Sequence, residues 1–469
     1  MNERIKRWKE EPLATIGQYL CLLTMAAVLL AFMSPMGQQM GLTWIGVDYF
    51  LEIPAMVFLM CTIALGINRK GRSMMALCLG LLLWTALVQV MRVYRGLEQI
   101  TAGEITCFYA LALPLAFSMD DGKQQRGLNA LAAVYLLESL RLCVLAGALY
   151  VGILPERYAG SVRWDGARLV QMFHPTNCAA LLMIGIGISL GISLRTKKNW
   201  LRWMMLAFVG IQFLVQLLTN GRTAIALTCM LIGGVVFCTI RKTGWKRAPL
   251  ALAVGVAVMA VLFLGSRKLF ALHQENLMKI TSQSQQLPEA LPADTPMEEA
   301  VEMQPEDIPQ VVQNPPEQVN VQGTFLSDMF TLNSRTTIWL ESVRGLLRNP
   351  KIMVCGTDDV GAVLREEGRC VAMHTHNSFL ELAYILGIPG LLLVLAVTAL
   401  GLWGAAALLW KNDDIWKSVI ALLVICLLGC GMLEPYLFTA GSNQFYLSIF
   451  FLAGLGYLHQ WRVEETNRS

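Results

Sequence analysis

The sequence predicts an all-α polytopic membrane protein, and three observations carry that expectation. Hydrophobic residues make up 55% of the 469-residue chain against 15% charged ones, with a mean hydropathy of +0.52. The apolar residues fall in runs of about 20, the length that one bilayer crossing takes. Lysines and arginines recur in every second gap between the runs, and one gap, from Ser266 to His376, is far longer than the others. Runs this long exclude an ordinary soluble core.

About twelve runs meet the length rule, starting near Ala14, Phe50, Ser73, Ile100, Leu128, Asn177, Trp203, Thr223, Pro249, Gly387, Ile415 and Asn443. Arg4, Lys6, Arg7 and Lys9 precede the first run and hold the N-terminus inside, because basic residues are retained in short cytoplasmic segments. That leader resembles a signal peptide, but the run lacks a clear small-residue cleavage site and is long enough to span, so it reads as an anchor. Each further gap counted as inside is basic: Arg69, Lys70 and Arg72; Lys123 and Arg126; Arg195, Lys197, Lys198 and Arg202; Arg241, Lys242, Lys246 and Arg247; Lys411 and Lys417. One missed crossing would put the Arg195 cluster on the wrong side. The net charge of +4 is therefore topological, and no nucleic-acid partner is expected. Both termini are expected in the cytoplasm.

This reading divides the chain into residues 1–265 with nine transmembrane helices, a large extracytoplasmic loop over 266–376, and residues 377–469 with three more helices and a cytoplasmic tail. Within the loop, about 281–322 is an acidic Pro/Gln-rich insert; no Lys or Arg occurs between Lys279 and Arg335. Such a composition cannot bury enough apolar surface to offset the entropy of ordering, so disorder is expected there. Residues 323–376 regain amphipathic helical character, with Leu332, Trp339, Val343 and Leu347 spaced to face an apolar surface. Asn349-Pro350 ends that helix, and Gly356 to Gly368 reads as turns and short elements. A shorter loop from about Val151 to Thr176 holds Arg157, Arg163, Arg168 and His174. Ten of the twelve cysteines fall in or beside apolar runs, where a thiol acts as a small apolar group. Cys355 and Cys370 lie in the large loop, and whether they form a disulfide stays open.

Sorted by side, the polar residues able to do chemistry gather on the outer face: Arg222 in a tight turn between two spans, Arg335 early in the amphipathic helix, and His376-Asn377 where the loop re-enters the membrane. A planar guanidinium suits the oxygens of a phosphate or diphosphate. Taken singly, each has a plainer reading. Arg222 can snorkel to headgroups, Arg335 can be an exposed helix charge, and His376 can cap the following helix. His374 and His376 form no familiar metal spacing with Cys370 or Glu381, and no metal or other cofactor is expected. Glu138 and Arg141, three apart in one span, most simply neutralise each other.

The motifs together resemble the O-antigen ligase and polymerase superfamily of bacterial envelope glycosyltransferases. His376-Asn377, nine residues, then Gly387-Ile388-Pro389-Gly390 matches that superfamily's spacing in full. Gly221-Arg222-Thr223-Ala224 resembles its Ser-Arg-Thr-Ala turn with Gly in place of Ser, and Ser334-Arg335 with Ile338-Trp339 resembles its loop arginine motif. Phe173 to Asn177 is similar to its Pro-Asn helix start, with Thr176 inserted, which leaves a role for His174 open.

The resemblance implies a GT-C-like fold in the bacterial cytoplasmic (inner) membrane and an extracytoplasmic active site. It implies a glycan donor on undecaprenyl diphosphate, and a glycan, lipid or wall-polymer acceptor met among membrane lipids. His376 would orient and deprotonate the acceptor hydroxyl. Arg222, Arg335 and Asn377 would bind the diphosphate, with Arg168 and His174 as further substrate contacts. Transfer would invert the anomeric centre and need no metal, since no Asp-x-Asp cluster lies on the outer face. A transporter or flippase of lipid-linked sugars or small anions is the alternative. It is weakened by the absence of an internal repeat and by polar residues collected at one face instead of the midplane.

Overall fold

The computed structural model describes residues 72–94, 121–154, 162–165, 168–171, 175–242, 244–285, 335–357, 360–368, 374–411, 414–435, 437–438 and 445–468. The expected runs near Ala14, Phe50 and Ile100, the acidic insert after Gln285, His174 and Cys370 lie outside the described residues, and residues 281–285 continue a helix. What is described is almost wholly helical. The elements are α1 (Arg72–Tyr94), α2 (Asp121–Val151), a hairpin of β1 (Val162–Asp165) and β2 (Arg168–Gln171), α3 (Pro175–Arg195), α4 (Asn199–Leu218), α5 (Arg222–Arg241) and α6 (Ala248–Gln285). They continue as α7 (Arg335–Arg348), α8 (Pro350–Cys355), α9 (Val360–Gly368), α10 (Ser378–Lys411), α11 (Ile415–Leu433) and α12 (Phe445–Arg468).

Among the described residues, eight helices are long and apolar enough to cross a membrane, namely α1 to α6, α10 and α11. They fall on the runs read near Ser73, Leu128, Asn177, Trp203, Thr223, Pro249, Gly387 and Ile415. The run near Asn443 becomes α12, an interior helix whose Leu447, Phe450, Phe451, Leu455 and Leu458 are buried against α10, α11 and α2. At the centre stands α3, packed by α2, α4, α5 and α11. Small residues let backbones approach, as is common between membrane helices: Gly233 of α5 and Gly255 of α6 face each other, and a Cβ on Gly404 of α10 would lie 2.2 Å from the Leu458 carbonyl of α12.

Several polar groups inside this bundle pair with one another, as an apolar surrounding favours. Arg141 Nε donates to Glu138 Oε2 at 2.8 Å, so the charges three apart in α2 do neutralise each other. Beside them Gln212 of α4 donates to Ser139 at 2.8 Å, and Gln216 donates to the Ala179 carbonyl at 2.7 Å and to Thr228 Oγ1 at 2.8 Å.

Two local expectations are corrected. The loop after α2 contains an antiparallel hairpin, in which Val162 pairs with Gln171 and Asp165 with Arg168. Trp164 of that hairpin forms a three-ring cluster with Tyr150 of α2 and His273 of α6, at ring-centroid distances of 6.4 and 5.7 Å, and those two rings meet each other at 6.3 Å. Within the stretch read as turns and short elements, residues 360–368 form the short helix α9. In α7 the packed face is turned by about one residue from the one read by hydrophobicity, a rotation of roughly 100°. Ser342, Gly345 and Leu346 are buried there, whereas Val343 and Leu347 are exposed. The reason is the Tyr384 side chain of α10, whose hydroxyl donates to the Ser342 carbonyl at 2.6 Å. A Cβ on Gly345 would stand 2.6 Å from that oxygen. Small residues admit the phenol, and a hydrophobic pattern does not register them.

Helix α10 starts at Ser378, earlier than the apolar run suggested, and is broken at Gly387, whose φ of 71° and ψ of 174° leave the helical region. The turn from α8 wedges into the break. The Thr357 N–H donates to the Tyr384 carbonyl at 2.6 Å, and Trp84 Nε1 of α1 takes the Leu386 carbonyl at 2.8 Å. Carbonyls freed by the break are thereby satisfied within protein. A Cβ on Gly387 would lie 2.3 Å from the Val354 carbonyl, and one on Gly356 2.0 Å from that of Ile385. The Gly-x-x-Gly element thus joins the segment before the membrane to the helix that follows it.

Candidate active site

The polar stretch before α10 folds as a cap. Asn377 Oδ1 accepts from the backbone N–H groups of Phe379 and Leu380 at 2.9 and 3.1 Å, satisfying donors that the first helical turn cannot pair. Its Nδ2 donates to the Met432 carbonyl at 2.9 Å, tying the start of α10 to the end of α11. Ser378 strengthens the tie, donating to the Glu434 carbonyl at 3.0 Å and accepting from the Leu437 N–H at 2.9 Å. Thr375 is fully buried, and both its N–H and its hydroxyl lie 2.9 Å from Glu381 Oε2.

Between these anchors His376 is held at φ 52°. This left-handed conformation costs a non-glycine residue about 1–2 kcal/mol, and such strain persists only where the surroundings fix it. Its carbonyl accepts from Trp339 Nε1 of α7 at 3.4 Å. Its ring stacks edge-on with His374 at a centroid distance of 4.1 Å.

The imidazole and the loop arginine meet on one carboxylate. His376 Nδ1 lies 3.1 Å from Glu434 Oε2, and Arg335 Nη2 donates to Glu434 Oε1. Glu434 is 8% exposed, Arg335 18% and His376 31%, so a buried carboxylate anchors two side chains that stay partly exposed. A carboxylate on Nδ1 fixes the imidazole tautomer and leaves Nε2 able to accept a proton. Nε2, and Nε and Nη1 of Arg335, have no hydrogen-bond partner among the described residues.

Arg222 opens α5 after a tight turn in which Asn220 is left-handed at φ 51° and the Gly221 N–H donates to Thr219 Oγ1 at 3.2 Å. The glycine here has a steric cause: a Cβ on Gly221 would stand 2.5 Å from the Ala179 Cβ of α3. Leu227 of α5 lies against Gly429 of α11, and Gly234 against Leu422. Carried to the ends of the two helices, that antiparallel register brings the exposed Arg222 level with Glu434.

Of the residues singled out in the sequence, the structure therefore brings Arg335 and His376 together, sets Arg222 at their height, and uses the Asn377 amide to cap and tether α10. Arg168 lies exposed at the start of β2, paired with Asp165 in the hairpin, and the structure does not bring it into this group. Among the described residues no three His, Cys, Asp or Glu side chains gather as metal ligands would. Glu434, the hub, was missed. The one signal for it is a carboxylate followed by Pro435 at the end of an apolar span.

Helices long and apolar enough to cross a membrane, gathering an imidazole, a carboxylate and a guanidinium at one end, fit an integral membrane protein. Residues 209–395 match the family model described as O-antigen ligase, which supports placing the chain in the O-antigen ligase-like superfamily. The matched stretch runs from α4 into α10 and holds Arg222, Arg335, His376 and the Gly387–Gly390 element; Glu434 lies beyond it. No curated protein matches the chain. The family suggests a membrane enzyme of glycan transfer.

Proposed function

We propose that this chain transfers or polymerises a glycan from an undecaprenyl-diphosphate-linked donor onto an acceptor hydroxyl at the outer face of the bacterial cytoplasmic membrane. The observation that carries the reading is the convergence of His376 and Arg335 on Glu434, with Arg222 level with them. In this reaction the acceptor oxygen attacks the anomeric carbon and its proton passes to His376 Nε2. The bond from that carbon to the diphosphate oxygen breaks, and its electron pair leaves with the lipid diphosphate. Attack from the side opposite the leaving group inverts the anomeric centre.

Each side chain has a task in that scheme. Glu434 holds His376 in the accepting tautomer and stabilises the imidazolium that forms. Arg335, with its remaining N–H groups, and Arg222 receive the charge that develops on the diphosphate, the usual role of positioned guanidinium groups in such transfers. Two fixed cations of this kind do the neutralising that a divalent ion does elsewhere, so the transfer is metal-independent. Asn377 serves by holding the turn that carries His376.

The test is glycan transfer by the purified protein, given lipid-linked glycan and candidate acceptors, with and without chelator. The expected result is loss of product in His376→Ala and unchanged product with chelator. Full transfer by His376→Ala removes the assignment of the base, and loss on chelation removes the metal-free scheme.

A further inference from the structure

At the end of the bundle opposite to His376, a cavity of about 330 Å³ opens between α2, α3 and the first turn of α11. Its volume is in the range of small-molecule sites. Ala132, Leu136, Ile188 and Ile192 give it an apolar interior, and Asn129 and Arg195 stand exposed at its mouth. Trp416 forms one wall, its six-membered ring lying against Gly191, where a Cβ would come within 2.5 Å of it. The indole is 4% exposed, yet its Nε1 has no hydrogen-bond partner among the described residues. A buried donor left in this state asks for a further acceptor.

The surroundings say what kind of molecule supplies it. Arg195 forms no ion pair among the described residues. Asp414, the acidic group nearest to Trp416 in the chain, spends its side chain on the Trp416 N–H at 2.9 Å as the cap of α11. Lys197 and Lys198 follow in an exposed turn that Arg202 closes on the Thr196 carbonyl at 3.2 Å. Trp200 and Trp203, 64% and 69% exposed, stand on the first turns of α4 just beyond. Exposed tryptophans beside a basic cluster at a helix end mark the headgroup level of a bilayer. The mouth of the cavity is therefore at phosphate depth, and its interior at the depth of acyl chains.

We propose that this cavity is a binding site for one anionic phospholipid of the leaflet at that end, with an acyl chain inside and the phosphate on Arg195. The site is independent of the transfer reaction, and it concerns residues at the far end of the bundle. An ester carbonyl or phosphate oxygen of the lipid accepts from Trp416 Nε1. An apolar chain without a headgroup would leave Arg195 unused, and a free phosphate would leave the cavity unfilled.

The test uses the full-length protein, stripped of lipid in a mild detergent, with bound lipid read by native mass spectrometry and by thermal unfolding. Phosphatidylglycerol and phosphatidylethanolamine of identical acyl chains are compared, with inorganic phosphate and glycerol phosphate as headgroup controls. The expected result is at least fivefold preferential retention of phosphatidylglycerol, with a raised unfolding temperature that neither soluble phosphate reproduces. Arg195→Gln is expected to erase the preference, Ala133→Phe at the mouth to weaken both lipids, and Lys198→Gln to change neither. Equal retention of the two lipids overturns the proposal. So does a preference that survives Arg195→Gln, an equal loss in Lys198→Gln, unaltered binding by Ala133→Phe, or the same protection by phosphate alone.

Discussion

Replacing Glu434 by Gln separates a positioning carboxylate from a merely structural one. The carboxylate accepts from Arg335 Nη2 and lies 3.1 Å from His376 Nδ1. Hydrogen bonds to charged groups contribute about 1.5–3 kcal/mol each. Because His376 and Arg335 are 31% and 18% exposed, solvent screening puts each at the low end of that range. The amide keeps one acceptor but no charge, so in the proposed reaction it cannot stabilise the imidazolium that would form during transfer. A loss of about 2–3 kcal/mol in the transition state is expected, or roughly 30- to 150-fold in kcat. Donor KM is expected to stay level or fall, since Arg335 no longer answers to a carboxylate. Initial rates of glycan transfer at saturating acceptor, over a range of donor, give both constants, and an unchanged unfolding profile shows that the fold persists. A kcat within threefold of the parent, or a loss confined to KM, would refute the reasoning.

Other perturbations test other links. Arg335→Lys keeps the charge but loses the planar fork, so donor KM is expected to rise about tenfold with kcat less affected, which the same assay reads. Gly221→Ser, restoring the serine of the related turn, brings a Cβ to 2.5 Å from Ala179 Cβ; lower thermal stability is expected, with recovery in the double variant Gly221→Ser, Ala179→Gly, and no recovery would sink the steric account. Gly387→Ala is expected to cost about 1–3 kcal/mol from its positive-φ, extended backbone alone, before the approach to the Val354 carbonyl is counted. Gly147→Ala in α2, where nothing lies within 4 Å, is expected to be neutral or slightly stabilising in the same unfolding experiment.

Much of this architecture was legible because a bilayer imposes a simple rule on length and polarity. Runs beginning near Ser73, Asn177, Thr223 and Ile415 became helices within a few residues. Arg335 and His376 were readable as a pair only through motif resemblance, since nothing in their spacing says that they meet. Glu434 left no more than the faint signal of a carboxylate before a proline. It stands 58 residues from His376, alone at the end of an apolar helix, and its partners are chosen by how α10 and α11 dock. The packed face of α7 was misread for a related reason. Ser342 and Gly345 are buried because Tyr384 needs space, and that demand is written in another helix.

The broken helix carries a consequence for the membrane around it. From Ser378 to Lys411, α10 holds 34 residues, roughly 50 Å at 1.5 Å per residue, against a hydrocarbon core of about 30 Å. The piece after the break, Ile388 to Lys411, already spans that core at roughly 36 Å. The piece before it does not have to cross, and it is fastened through Ser378 and Asn377 to the end of α11. In a thicker or thinner bilayer the mismatch falls on the tilt of the lower piece. The upper one moves with α11 as a pedestal, so His376 keeps its place beside Glu434 across membranes of different thickness.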